Sequence, residues 1–468
     1  MAPINQVTVL ESCFAAPPPN TVSEMSHPLS YSDMVWIGFS PVQRLLFYQI
    51  PVSRSNFIDT IIPQIKKSVS LALKYFPTLA GNLIIYSGHS RKPDIRFSVG
   101  DSISLVFAES SFDDFEFLVS NQIRNCNEFY PLVPQVPKST KSGGERLVPL
   151  LALQVTLFPG NGICIGIANQ HVAGDGSSML SFVKAWAMIC KLGEDFEESK
   201  GVEFSPTYDR GVMTQHTKKL DDIVWEQLAS NKSDEKDLVA FELNRRQDHD
   251  KVRATFVVGL EEVKRLKRLV SDQHGSSSIK HLSTFTVICG YVWSCMVKAD
   301  NAVEELEENE KDFFVCAADF RGRTDPPIPT NYFGNCLVMC STVVESRELI
   351  NGENAFVRGA EVIGEAIHKR FENEGGIFHG LENMHEEFAA INWSRLLSIA
   401  GSPRQNYYDI DFGWGNPRKM EVPSIDSTGA ISLSKCRDDS GGMEIGVVLP
   451  RNKMDAFVEY FTEGINGL

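Results

Sequence analysis

The sequence contains no long apolar run and no excess of positive charge. Its 468 residues include no window of about 18 apolar side chains, which predicts that no helix spans a membrane. Lys and Arg number 45 against 60 Asp and Glu, for a formal net charge of −15. A chain this acidic is not expected to bind nucleic acid or an anionic membrane surface, although a small anionic ligand senses only a local patch.

The chain also lacks the cysteine spacing of a metal site. Its ten cysteines are scattered, mostly in apolar runs, and none forms a Cys-x-x-Cys pair. This pattern predicts buried, reduced thiols in a cytoplasmic protein and no bound metal. The N-terminus has no basic segment followed by an apolar core, so no signal peptide is predicted.

The composition is that of an ordinary globular protein, with 43% hydrophobic and 22% charged residues. At roughly 100–200 residues per domain, this length corresponds to two or three domains, or to two lobes that share one core. A polar, irregular stretch follows residue 194. We therefore predict an N-terminal lobe over residues 1–200, a crossover linker over 201–250 and a C-terminal lobe over 251–468.

Helix and strand patterns alternate without a regular repeat. Apolar spacing predicts a helix over Asn56–Phe76. Strand-like runs at Leu150–Phe158 and Ile163–Gln170 flank a Pro-Gly-Asn-Gly turn and predict a hairpin, which a helix over Ser178–Lys191 follows. The second half adds predicted strands at Arg253–Val258, Phe313–Ala318, Ala430–Ser434 and Met443–Leu449, and helices at Phe285–Val297 and Met454–Gly464. This mixture favours a two-lobed α/β protein over a barrel.

The strongest local candidate for chemistry is His171. A predicted strand leads to it, a glycine-containing turn follows, and a helix begins after the turn. Imidazole titrates near neutral pH, so a histidine at a strand end beside a cleft is suited to act as a general base. Asp175 lies four residues later. It could hold the imidazole, or it could cap the helix and pair with an arginine, and the spacing leaves both roles open.

A second signal is the sequence Asp-Phe-Gly-Trp-Gly at residues 411–415. Glycine on both sides of Trp414 predicts tight turns that expose or wedge the indole, and the alternative is a turn with an aromatic anchor. Asp-Phe-Arg at 319–321 and Tyr-Phe-Gly-Asn-Cys at 332–336 are weak signals individually.

In this order, the motifs make the chain resemble the BAHD family of plant acyl-CoA-dependent acyltransferases over nearly its whole length. The Asp-Phe-Gly-Trp-Gly match is complete, and Tyr-Phe-Gly-Asn-Cys resembles the subgroup that malonylates flavonoid and other phenolic glucosides. The resemblance rests on His171 to Gly176, on residues 319–321, 332–336 and 411–415, and on the segments His27–Trp36 and Ser283–Trp293.

The resemblance implies an α/β fold with two lobes of chloramphenicol-acetyltransferase-like topology, mixed sheets with helices, and an active-site channel between the lobes. CoA would enter from one face and the acceptor from the other. His171 would take a proton from an acceptor hydroxyl, whose oxygen would attack the thioester carbonyl. Neither a cofactor nor an acyl-enzyme is implied, and the sequence has no Gly-x-Ser-x-Gly elbow.

The resemblance also assigns roles to the other motif residues. Asp411 is grouped with His171 at the catalytic centre, although it and Trp414 are expected to shape the cleft more than to perform chemistry. Asp175 is expected to turn away from the channel and pair with Arg321, and Gly176 is expected to support the same turn.

CoA is expected to meet the C-terminal lobe. Lys264 and Lys267 lie on a basic helical face that could bind CoA. The alternative is that this face is an ordinary solvated surface. His281, Ser283 and Thr284 precede or begin the next helix, whose N-terminal amides could receive phosphate or pantetheine oxygen.

A malonyl donor also requires a cation for its carboxylate, preferably a bidentate arginine. Arg44 is the first candidate, because its segment lines the acyl pocket in related enzymes, and Arg404 is the second. Some anthocyanin malonyltransferases carry a basic residue shortly after the motif aspartate. Gly176–Met179 contains none, which argues against an anthocyanin acceptor.

These features together predict a cytoplasmic, monomeric O-acyltransferase. It would move malonyl from malonyl-CoA, as co-substrate, to a sugar hydroxyl of a phenolic or flavonoid glucoside. Three alternatives remain at this stage. One is a BAHD transferase that uses acetyl-CoA or hydroxycinnamoyl-CoA with another alcohol, and another is a non-catalytic binding protein with the same fold. The third is a hydrolase that cleaves acyl-CoA without an acceptor.

Overall fold

The computed structural model describes residues 7–112, 114–196, 204–230, 250–274, 282–352, 354–438 and 441–467. The strands of this part are β1 Val7–Ala15, β2 Met25–Pro28, β3 Val42–Gln49, β4 Asn82–Tyr86, β5 Asp94–Phe97, β6 Ile103–Ser110, β7 Arg124–Asn125, β8 Thr140–Ser142, β9 Glu145–Pro149, β10 Leu151–Phe158, β11 Gly162–Asn169, β12 Lys251–Val258, β13 Lys311–Asp319, β14 Leu337–Glu345, β15 Leu396–Ala400, β16 Lys419–Glu421, β17 Ile431–Lys435 and β18 Met443–Pro450. Its α-helices are α1 Tyr31–Met34, α2 Arg54–Asn56, α3 Ile62–Tyr75, α4 Phe115–Leu118, α5 Gly176–Leu192, α6 Gly211–Ser230, α7 Leu260–His274, α8 Thr284–Val303, α9 Phe356–Phe371, α10 Met384–Ala389, α11 Ile425–Thr428 and α12 Arg451–Asn466.

A six-stranded sheet in the order β1-β6-β10-β11-β3-β16 organises the N-terminal half. Alternate side chains of its strands enter different cores, as the two-residue period of a strand requires. In β3, Leu46 and Tyr48 join the core that contains α3 and α5, while Leu45 and Phe47 join a second cluster with Phe115. Strands β10 and β11 are therefore buried along their whole length.

The predicted hairpin is confirmed. Strands β10 and β11 are antiparallel, with Leu151 opposite Asn169 and Phe158 opposite Gly162. The helix expected next is α5, and the helix expected over Asn56–Phe76 is a continuous run of α2, one π-helical turn and α3. The strands and helices predicted in the second half are also present, as β12, β13, β17, β18, α8 and α12.

A seven-stranded sheet in the order β14-β13-β15-β17-β18-β12-β7 organises the C-terminal half. Helices α8, α9 and α12 cover it and share a core that includes Trp293, Ile363 and Phe457. A third sheet of five strands, β2-β5-β4-β9-β8, lies in the N-terminal half and contributes Leu83 and Ile95 to the core there.

The two large sheets exchange edge strands. Strand β16 of the C-terminal half pairs with β3, and β7 of the N-terminal half pairs with β12. A buried ionic cluster lies at this exchange, where the Glu421 carboxylate forms ion pairs with Arg124 at 2.8 Å and with Arg253 at 3.2 Å. Burial would raise the pKa of Glu421, but the two guanidinium groups lower it, so the carboxylate stays charged and links both sheets.

The segment expected to be irregular contains a long helix. Residues 211–230 form α6, which buries Met213, Leu220 and Val224 against the N-terminal core. Polar residues fill most of its remaining surface, and this weakened the apolar pattern in the sequence. None of the helices in the described ranges is long and apolar enough to cross a membrane.

Candidate active site

A cavity of about 1380 Å³ lies between the two halves of the chain. His171 and Arg44 line it from the N-terminal half, and strand ends of the seven-stranded sheet line it from the other side. Those ends belong to β13, β14, β15 and β17, with the loop 401–406 after β15. The family resemblance implied an active-site channel between the lobes, and the structure has a large cavity at this place.

His171 begins a short 3₁₀ turn directly after β11. Its imidazole stacks on the indole of Trp36, with ring centroids 3.8 Å apart and planes inclined by 15°. Its carbonyl accepts from the Asn335 side chain at 3.1 Å. Burial lowers the pKa of His171 to about 4, with Asp175 opposing this shift and Arg44 adding to it. The imidazole is therefore neutral at pH 7, which is the form that accepts a proton.

The low pKa of His171 predicts a pH-dependent loss of stability. Below pH 6.5 the unfolded chain binds a proton at this histidine, whereas the folded chain does so only near pH 4. The stabilisation of the folded state by the neutral His171 imidazole is complete above pH 6.5 and is lost as the pH falls towards 4. Between pH 7 and 5 the wild type should lose on the order of 1–2 kcal/mol more unfolding free energy than His171→Gln in urea titrations. Equal losses in both proteins would mean that His171 titrates as in the unfolded chain.

Asp175 is the N-cap of α5. Its Oδ1 accepts from the amides of Ser177 and Ser178 at 3.1 and 3.0 Å, and its Oδ2 accepts from Cys336 at 3.0 Å and Arg321 at 2.8 Å. Burial would raise the pKa of Asp175, but Arg321 and these amides bring it below its ordinary value. The geometry selects the capping and pairing role that the spacing left open.

Arg321 is buried and connects several segments. Besides Asp175, its guanidinium donates to Asp319 at 2.8 Å and to the carbonyls of Tyr332 and Gly334 at 3.3 and 3.1 Å. The predicted pair of Asp175 with Arg321 is thus present. Through it, the turn after His171 is attached to the loop between β13 and β14.

Asn335 and Asp33 also support His171, and the sequence analysis did not single them out. The amide and side chain of Asn335 donate to Asp33 Oδ1 at 3.1 and 3.0 Å, while the same side chain reaches the His171 carbonyl. Both residues lie inside motifs that carried the family resemblance, which was the available signal. Their contact joins α1 to the start of β14 beneath the histidine.

The two candidate arginines both line the cavity. Arg44, on β3, is 9% exposed, and its guanidinium lies 5.2 Å from the ring centroid of Tyr407. Arg404 is exposed and lies on the loop 401–406. Gly176 faces the same loop, and a Cβ at position 176 would collide with the amide of Gln405.

Asp411 and Trp414 lie outside the cavity lining. Asp411 accepts from Lys191 at 2.7 Å and from the amides of Gly413 and Gly415, both at 2.8 Å. The two glycines have φ of 95° and 84°, so the predicted tight turns are present. Trp414 packs against Tyr48 at 5.5 Å. Asp411 is thus not among the residues that line the cavity with His171, the residue with which the sequence analysis grouped it.

The CoA candidates divide into two groups. Ser283 and Thr284 line the cavity, and Ser283 Oγ caps α8 by accepting from the Thr286 amide at 3.1 Å. Lys264 and Lys267, on α7, are not among the lining residues, and Lys264 pairs with Glu261 at 2.7 Å. His281 lies outside the described residues.

Within the ranges that the structure describes, no three His, Cys, Asp or Glu side chains are grouped so as to hold a metal ion. Nine of the ten cysteines are buried, and all ten are free thiols.

Comparisons with known proteins agree with this architecture. The model of the Transferase family matches residues 5–463. The chain is 41% identical to phenolic glucoside malonyltransferase 1 of Nicotiana tabacum over 98% of this chain and 100% of that protein. It is 38% identical to the anthocyanin 3-O-glucoside-6''-O-malonyltransferase of Dahlia pinnata over 99% and 98% of the two chains.

A solved structure gives the same fold. Vinorine synthase superposes with a TM-score of 0.69 over 98% of each chain at 18% identity, a likeness that shows the fold alone. The expected two-lobed α/β architecture is confirmed. The chain belongs to the Transferase family of BAHD acyltransferases and is an acyltransferase.

Proposed function

We propose that this acyltransferase moves malonyl from malonyl-CoA to a sugar hydroxyl of a phenolic or flavonoid glucoside. The observation that carries the proposal is a neutral His171 on the wall of a large cavity that also contains the buried cation Arg44. The malonyltransferases of tobacco and dahlia, which are similar over their full length, support the donor and the acceptor class.

His171 acts as the general base in the proposed reaction. Its neutral imidazole takes the proton of the sugar hydroxyl while the hydroxyl oxygen attacks the thioester carbonyl. The resulting tetrahedral intermediate expels the CoA thiolate, which receives the proton from the imidazolium. Both substrates occupy the cavity together, so no acyl-enzyme is required.

Other residues position the base or the substrates. The pair of Asp175 with Arg321 fixes the turn after His171, and Asp411 holds its own loop without touching substrate. Amides at the start of α8, near Ser283 and Thr284, meet the phosphate or pantetheine part of CoA. His281 remains a prediction for the same ligand.

Arg44 is the proposed partner of the malonyl carboxylate. An ionised carboxylate in a largely buried cavity requires a cation, and Arg44 is buried in its wall. It lines the same cavity as His171, and its charge contributes to lowering the pKa of that histidine.

Arg44→Ala should change the donor preference. A charge-assisted hydrogen bond contributes about 1.5–3 kcal/mol, so the ratio of kcat/KM for malonyl-CoA over acetyl-CoA should fall about 10- to 100-fold. The ratio is informative because any change in the pKa of His171 affects both donors equally. Arg404→Ala is the matched control, and a larger change there would assign the carboxylate to Arg404.

A panel of acyl donors and glucosides tests the function itself. Malonyl-CoA, acetyl-CoA and a hydroxycinnamoyl-CoA are each incubated with phenolic and flavonoid glucosides, and products are identified by mass shift and CoA release. The highest kcat/KM is expected for malonyl-CoA. Preference for hydroxycinnamoyl-CoA would favour the other BAHD chemistry. CoA release without acceptor would indicate a hydrolase, and CoA binding without turnover would indicate a binding protein.

We further propose that the enzyme works as a cytoplasmic monomer without a cofactor. The cavity and every residue assigned to the reaction come from one chain. Size-exclusion chromatography with light scattering should give a mass near 52.2 kDa. Activity that survives exhaustive dialysis against a chelator would agree with the absence of a metal.

A further inference from the structure

Trp36 is in direct ring contact with His171. The two rings are nearly parallel at 3.8 Å, and Trp36 also lines the cavity. Phe39 packs edge-on against the indole at 5.3 Å, and the Trp36 amide donates to the Asp33 carbonyl at 3.1 Å. The indole therefore packs against Phe39 while its backbone is bonded to Asp33, and it presents one face to the imidazole.

The reaction proposed above places a positive charge on this imidazole, and few groups offset that charge. Asp175, Arg44 and Asn335 are the charged and polar groups that influence the ring. Asp175 is occupied by four donors, and the charge of Arg44 opposes protonation. Asp33, on the adjacent α1, accepts from Asn335. Among the described atoms, His171 Nδ1 is buried and has no hydrogen-bond partner. In the proposed reaction Nε2 takes the proton.

An indole face is the aromatic surface that attracts cations most strongly, especially where water is excluded. We propose that Trp36 is a positioning residue, whose indole face fixes the imidazole plane of His171 and stabilises the imidazolium formed during acyl transfer. The inference rests on the proposed general-base role of His171. The proton moves from the sugar hydroxyl to Nε2 and then to the departing CoA sulfur, and Trp36 takes no part in that covalent exchange.

Two substitutions of similar volume separate the electrostatic contribution from simple filling of space. Trp36→Phe keeps an aromatic face, whereas Trp36→Leu keeps only apolar bulk. A desolvated cation–π contact predicts a kcat about 10- to 30-fold lower in Trp36→Leu than in Trp36→Phe. The KM for malonyl-CoA should stay within about twofold, because the stabilised charge exists only during transfer.

Fluorinated tryptophans at position 36 provide a test that does not depend on folding of the variants. Each fluorine weakens the negative face of the indole with little change of shape, so log kcat should fall stepwise with fluorine number. Trp225 on α6 packs against the N-terminal core outside the cavity lining, and its Phe and Leu variants should both keep the wild-type kcat.

The outcomes distinguish this inference from the function on which it rests. If His171→Ala is inactive while Trp36→Leu equals Trp36→Phe and fluorination has no effect, Trp36 only fills space and the inference is wrong. If His171→Ala retains normal turnover, the general-base role and the inference both fail. A graded loss of kcat across Trp36→Phe, Trp36→Leu and the fluorinated series supports the proposed role of Trp36.

Discussion

His171→Ala is expected to abolish acyl transfer, lowering kcat by about 10²–10⁴-fold. The wild-type imidazole is neutral at pH 7 and lines the cavity, so its loss removes the proposed proton acceptor from the site. The fold should tolerate the change, because the side chains that secure this turn, Asp175, Arg321 and Asn335, bond to backbone or to one another. CoA release from malonyl-CoA in the presence of a glucoside measures the loss.

His27 provides a matched control. It is also a half-buried histidine stacked on an aromatic ring, with its ring centroid 5.3 Å from that of Tyr208, but it is not among the cavity-lining residues. His27→Ala should keep a kcat near that of the wild type. Unchanged CoA affinity in His171→Ala, measured by thermal shift, would show that the cavity is intact. Near-normal turnover in that variant would remove His171 from the mechanism.

Local patterns were sufficient to place His171. The strand-like apolar runs of β10 and β11, the glycine-containing turn between them and the amphipathic α5 are each encoded within about twenty residues. A hairpin followed by a helix leaves few positions for the residue that connects them. The sequence therefore predicted both the strand end that carries the histidine and the helix that Asp175 caps.

Contacts between segments that are distant in the sequence could not be predicted from local patterns. Asp33 and Asn335 are 302 positions apart, and Trp36 meets His171 only because α1 packs beside the 3₁₀ turn. No periodic pattern in the sequence indicates that such distant residues are in contact. Family resemblance marked the segments that contain these residues, but it did not assign their roles.

Asp411 illustrates the opposite difficulty. Its motif is a specific family signature, yet its carboxylate is satisfied by Lys191 on α5 and by the nearby amides of Gly413 and Gly415. A motif shows that a local conformation is needed and does not show how far it lies from the cavity. Helix α6 was missed for a different reason, since its buried residues are too sparse to produce a clear apolar stripe.

Asp175→Asn should destabilise the fold, with a loss of about 3–5 kcal/mol in the free energy of unfolding. Asparagine still caps a helix well, so the α5 amides remain satisfied while Arg321 loses its buried counter-charge. Asp319→Asn is the control, because Asp319 contacts the same guanidinium but its side chain is 34% exposed. It should cost no more than about 1 kcal/mol. Urea titrations of the three proteins at pH 7 measure both effects.

The dependence on pH separates the ion pair from other effects of the substitution. Since Arg321 helps to hold the pKa of Asp175 below its ordinary value of 3.8, the stabilisation is fully present above that pH. It disappears only as the pH falls through the lower, folded-state pKa. The stability gap between wild type and Asp175→Asn should therefore be constant from pH 7 to 5 and narrow below pH 4. An inactive Asp175→Asn with wild-type stability would instead give Asp175 a direct part in the chemistry, because the pair with Arg321 would then contribute nothing measurable to the fold.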